Sequence, residues 1–169
     1  MATSNPLDIL LKHDRWATRQ ILEKCVPLTD EQFNRKFEMG PGSLHDTITH
    51  MAAAQRFWGD LLAGREQRPR LEKSGQRTPT ELIALLDEVA SEFDAIAVEH
   101  PLEEFVYRVR DGKTYAFTRG AVVTHVATHG MHHRAQCLNM LRHLGISPLP
   151  PSSVAEWQTM ADKGQVVGI

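Results

Sequence analysis

His129 and His133 are the two side chains of this sequence best spaced to do chemistry. Residues four apart on a helix are neighbours, so the pair can chelate one ion. At about 100° per residue, both lie inside the apolar arc set by Val122, Val126, Cys137, Met140 and Leu144. Two imidazoles thus occupy positions that the pattern reserves for core residues. Neutral imidazoles bind zinc-like metals without burying net negative charge. A third nitrogen comes from His50, which aligns with Thr47, Ala54, Phe57 and Leu61 towards one edge of an apolar arc. Three histidines from two helices facing one core predict a three-nitrogen site with an open position, the arrangement of catalytic rather than structural zinc.

Other residues compete for roles around that centre. Cys137 follows His133 by one turn on the same face and reads either as a ligand or as a small buried hydrophobe. Asp14 falls in the inward stripe of its helix, where a bare carboxylate is costly. It reads either as a base or an acceptor that orients an imidazole, or as half of a salt bridge. His125 and His132 lie on a flank of the same helix, as a rim or supporting pair, and His143 lies on a solvated edge. His45 and His100 read as surface residues, and His13 as the edge of an apolar arc. The opposing reading makes all of these histidines core or surface residues of an interaction scaffold.

The elements that must position these groups follow from periodicity and stop signals. Leu7 to Cys25 is predicted helical, with a short turn of helix at Glu31–Phe37. Ser43 is placed to cap a second long helix reaching Leu62. A polar crossover spans Arg65 to Arg77. Thr78-Pro79-Thr80-Glu81 is then a capping box with proline at the first helical position. Leu82, Leu85, Leu86, Val89, Phe93 and Ile96 form the stripe of that third helix, which Pro101 follows. Phe105–Arg110 and Lys113–Phe117 flank Asp111-Gly112, the signature of a type I′ hairpin. The histidine-bearing helix runs from Arg119 to Leu144, and a short helix at Val154–Met160 closes the chain. These elements predict an all-α fold: a four-helix bundle, not simply up-and-down, with a small β-hairpin before the fourth helix.

Composition narrows the function. The 169 residues carry 19 Lys+Arg against 21 Asp+Glu, a net charge of −2, which argues against a nucleic-acid binder. No apolar run reaches the length of a membrane span, and the N-terminus lacks the basic start of a signal peptide. Two cysteines cannot make a disulfide framework and suit a reducing cytoplasm. The length reads as a single domain, residues 1–169.

Several segments resemble the DinB/YfiT-like family of metalloenzymes. His13-Asp14-Arg15-Trp16-Ala17-Thr18 is similar to the family's Tyr-Asn-x-Trp-Ala-Asn opening, and Ser43 to His50 with Gln55-Arg56-Phe57-Trp58 to its second-helix block. His125 through Gln136 resembles its His-x-x-x-His-x-x-x-His-Arg-Gly-Gln signature. That resemblance implies His50, His129 and His133 as metal ligands, zinc or nickel as the ion, a right-handed bundle and a homodimer. His13 and Asp14 stand where the family has Tyr and Asn, Gln55 replaces an acidic residue and Ala135 a glycine, so shared substrate contacts are not implied. Characterised relatives transfer or isomerise with mycothiol, bacillithiol or glutathione. The expectation is therefore a metal-dependent thiol S-transferase with a low-molecular-weight thiol and a small-molecule substrate. A metal-dependent hydrolase and a non-catalytic metal-binding stress-response protein are the alternatives. Candidate catalytic residues are Asp14 and His125; His13, Trp58 and Gln136 are candidates for the substrate rim.

Overall fold

Local sequence rules set where each helix begins. The computed structural model describes residues 2–163. Asn5 caps α1 (Pro6–Cys25), Thr29 caps the short α2 (Asp30–Asn34), and Ser43 caps α3 (Leu44–Leu62) through its bond from the Asp46 N–H. Thr78 and Glu81 cap each other reciprocally at the start of α4 (Pro79–Glu99), satisfying donors that a helix start leaves orphaned. Strands β1 (Phe105–Arg110) and β2 (Lys113–Thr118) pair antiparallel from Phe105↔Thr118 to Arg110↔Lys113. Asp111 and Gly112 both take left-handed conformations, φ 51° and 70°, as a type I′ turn requires. Helix α5 (Arg119–His143) and the short α6 (Val154–Met160) complete the elements of the described residues. The described residues are thus mostly helical, with one two-stranded sheet, as expected. No helix among them is long and apolar enough to cross a membrane.

The packing shows why the bundle is not a simple up-and-down one. Helices α1 and α3 each pack against α4 and α5, so α1 and α3 face each other across the diagonal. One apolar cluster joins Leu11, Leu62, Phe93, Ile96 and Val122. The other joins Ile21 and Leu22 to Leu44, Ile48, Leu82 and Met140. Hence α3 and α4 run parallel, and α1 and α5 run opposite to them. Buried Arg119 locks the shared end by donating 2.8 Å hydrogen bonds to the carbonyls of Leu62 and Ile96, near the C-termini of α3 and α4. Such carbonyls lack helical partners, and a cation there also complements the helix dipole.

Parallel α3 and α4 require a connection that travels back along the bundle. Residues 65–77 do so beside α3, with Arg68 bonded to Asp60, Gln67 to the Phe57 carbonyl and the Arg77 N–H to His45 Nε2. A 3₁₀ turn at Leu71–Lys73 anchors the strap through buried Leu71. The two apolar clusters leave a polar layer between them. Asp14 and Thr18 lie between Leu11 and Ile21, and His129, His133 and Arg134 lie between Val126 and Cys137.

Candidate metal centre

The polar layer brings together the three imidazoles that the sequence singled out. One ring nitrogen from each of His50, His129 and His133 lies within 4.8 Å of the others. His129 Nε2 and His133 Nε2 are 3.2 Å apart. Two ring nitrogens at that distance share either a proton or an ion. Tetrahedral zinc with bonds of about 2.0–2.1 Å separates its ligand nitrogens by about 3.3 Å, so this pair has the right spacing. The third ring closes the triangle, with centroids 5.1 Å from His129 and 4.9 Å from His133.

Neighbours turn the correct edges inward. Gln136 Oε1 can only accept, so the 2.7 Å contact with His133 Nδ1 is donated by the ring. The His133 lone pair is thereby fixed on Nε2, facing His129. Glu72, carried by the strap, plays the same part at 3.4 Å from His50 Nδ1. Metal-binding histidines characteristically donate their second nitrogen in this way. Burial, then the facing His133 and His50, pushes His129 down to about 4. Burial also lowers His133, against the raising effect of its bond to Gln136. Both rings are therefore neutral at neutral pH, the form that a metal ion needs.

The remaining predicted residues are distributed around this centre rather than gathered at one rim. His125 is exposed, its ring edge-on to Trp58 at 5.1 Å and tilted against His129 at 5.6 Å. Trp58 lines the cavity beside the imidazoles and also the neighbouring cleft that His125 borders. Gln136 is half-buried between His133, His132 and the loop at Gly40. Asp14 is buried in an ion pair with Arg134. Burial raises its carboxyl while Arg134 opposes the shift. His13 is buried beneath α6, with Nε2 at 2.9 Å from the Ser152 carbonyl and its ring against Trp157. Neither His13 nor Asp14 lines the larger cavity at the imidazoles, whereas Asp14 and His129 border a small pocket within the bundle.

Cys137 is fully buried within an apolar cluster, where burial pushes its thiol up, and it stands outside the three-histidine group. His45 is a correction: it is only 4% exposed, packed edge-on against Phe33 and bonded to the strap at Arg77. Helix α2 and the strap cover a face that periodicity alone marked as polar. Sequence reasoning also passed over Glu72, Arg56, Arg70 and Arg108. The first three lie on or against a stretch read only as a crossover, whose density of arginines was the available signal.

A four-helix bundle with an inward three-imidazole group defines a candidate metalloprotein. The chain belongs to the DinB family, whose sequence model matches residues 1–161. Among solved structures, the fold is similar to that of a DinB-like protein, YjoA, from Bacillus subtilis. The TM-score is 0.62 at 16% identity, covering 85% of this chain and 96% of that one. Likeness at that identity is one of fold. No curated protein matches the chain in sequence.

Proposed function

We propose that this DinB-family chain is a metal-dependent thiol S-transferase acting on small molecules, with His50, His129 and His133 holding one zinc or nickel ion. The observation that carries the reading is the 3.2 Å approach of the His129 and His133 Nε2 atoms, with His50 completing the group. The set has three imidazole nitrogens and no carboxylate, which leaves a position for an outside ligand. A divalent ion held by His50, His129 and His133 would supply the Lewis acidity that lowers the pKa of a low-molecular-weight thiol.

The chain's own residues supply the rest. Gln136 and Glu72 hold the ligand tautomers, and the strap and hairpin wall a cavity of about 230 Å³ beside them. Of the two candidates for proton transfer, His125 borders an open cleft with Trp58 and Phe117, whereas Asp14 is committed to Arg134. His125 is therefore assigned the proton work, and Asp14 the pairing of buried Arg134. The reading includes a cytoplasmic location, in keeping with the free buried thiols of Cys25 and Cys137. It also includes a homodimer, for which the exposed Phe105, Tyr107 and Val109 of the hairpin offer an apolar face.

A screen of metal-loaded protein against small electrophiles, with and without mycothiol, bacillithiol and glutathione, tests the activity. Thiol-dependent conjugation or isomerisation is expected. Hydrolysis without thiol would replace the reading with a metal-dependent hydrolase. No turnover of either kind would favour a non-catalytic metal-binding stress-response protein.

A further inference from the structure

The cavity beside His50 and His129 is far more basic than the chain that encloses it. Its walls carry Arg56, Arg68, Arg70 and Arg108 against only Asp60 and Glu72, in a protein of net charge −2. Asp60 is already engaged by Arg65 at 2.7 Å and Arg68 at 2.8 Å, and Arg68 also reaches Glu92. Glu72 faces His50. Among the described residues, no carboxylate pairs with Arg56, Arg70 or Arg108.

Arg56 and Arg108 are half-buried rather than ordinary surface charges, while Arg70 is exposed on the strap. Arg56 reaches from α3 to the Pro69 carbonyl of the strap, and burial followed by repulsion from Arg68 depresses its guanidinium. Arg108 extends from β1 over the rings of Phe57 and Trp58, at 4.7 and 5.7 Å from their centroids. Cations gathered in a cleft focus positive potential there, and guanidinium groups match the fork geometry of carboxylate and phosphate.

We infer that this cleft takes a small organic anion, bearing a carboxylate or phosphate held by Arg56, Arg70 and Arg108, with its apolar part against Trp58 and Phe57. The anion thereby lies beside the open position of the imidazole group. The inference rests on the proposed function for that metal position alone; the arginines bind with or without the ion. A cavity of about 230 Å³ suits a small molecule and not a nucleic-acid strand.

Calorimetric titration of the full chain at constant ionic strength tests this, using phenyl phosphate, benzoate and neutral benzyl alcohol as probes. Metal-stripped and zinc-loaded protein are titrated in parallel. Both anions are expected to bind the stripped protein at least tenfold more tightly than benzyl alcohol, about 1.4 kcal/mol. Arg70→Gln and Arg108→Gln, with unchanged circular dichroism and zinc content, are each expected to weaken the anions about tenfold. Equal affinity for benzyl alcohol, or no change in either variant, would overturn the inference. Anion binding seen only with zinc present would also overturn it, because the anion would then be a metal ligand. A chain that takes no zinc yet shows arginine-dependent anion binding supports the inference while removing the metal reading.

Discussion

His133 Nδ1 lies 2.7 Å from Gln136 Oε1, a contact within one turn of α5 that decides which edge of the imidazole faces His129. Gln136 is fixed in turn by His132 at 3.1 Å. Gly40 leaves it room, since a β-carbon there would collide with Oε1. The amide thus belongs to the support of the three-imidazole group. Gln136→Leu is expected to retain the fold and weaken zinc affinity about 10–100-fold. Competition against a chromophoric chelator reads the change, and unaltered affinity would remove Gln136 from this role.

Arg134 is the only cation paired with buried Asp14 among the described residues, and it also donates to Thr18 Oγ1 at 3.3 Å. Deleting one partner of a buried pair leaves an uncompensated charge. Arg134→Met is therefore expected to cost about 3–5 kcal/mol in urea unfolding. The double variant Asp14→Leu/Arg134→Met should recover most of that loss. A double variant as unstable as the single one would mean that packing, not charge, sets the cost.

Asp94 predicts a pH dependence. Its Oδ1 is buried without a hydrogen-bond partner. Burial, opposed by Arg15 and reinforced by Asp14, pushes the carboxyl from 3.8 up to about 6. The folded chain therefore holds this proton to a higher pH than the unfolded chain. The associated stability is present in full below about pH 4 and is lost as pH rises through about 6. Asp94→Asn stays neutral throughout. It is expected to match the parent at pH 4 and to exceed it by about 1–2 kcal/mol at pH 7.5, after allowance for partial solvent screening. Chemical unfolding at the two pH values measures the gap, and a gap independent of pH would contradict the assignment.

How much of this was legible beforehand depended on the range of the signal. The capping box at Thr78 and Glu81, the Asp111-Gly112 turn and the inward placement of His129 and His133 are local, and each appears where the sequence puts it. Features made by distant chain were not legible. Residues 65–77 carry no helical period, so nothing in them announced a strap that delivers Glu72 to His50. The burial of His45 under α2, the cover of His13 by α6 and the union of Asp14 with Arg134 are likewise long-range. A residue's own helical face records its neighbours on that helix, not what later folds over it.

Metal analysis of untagged protein shows whether His50, His129 and His133 hold one ion. About one equivalent of zinc or nickel per chain is expected, as a single three-nitrogen site implies. His129→Ala should lose the ion and keep its circular dichroism, since the apolar clusters on either side remain intact. A parent protein that binds no metal, even with zinc or nickel added in excess, would leave the three histidines without an ion to hold.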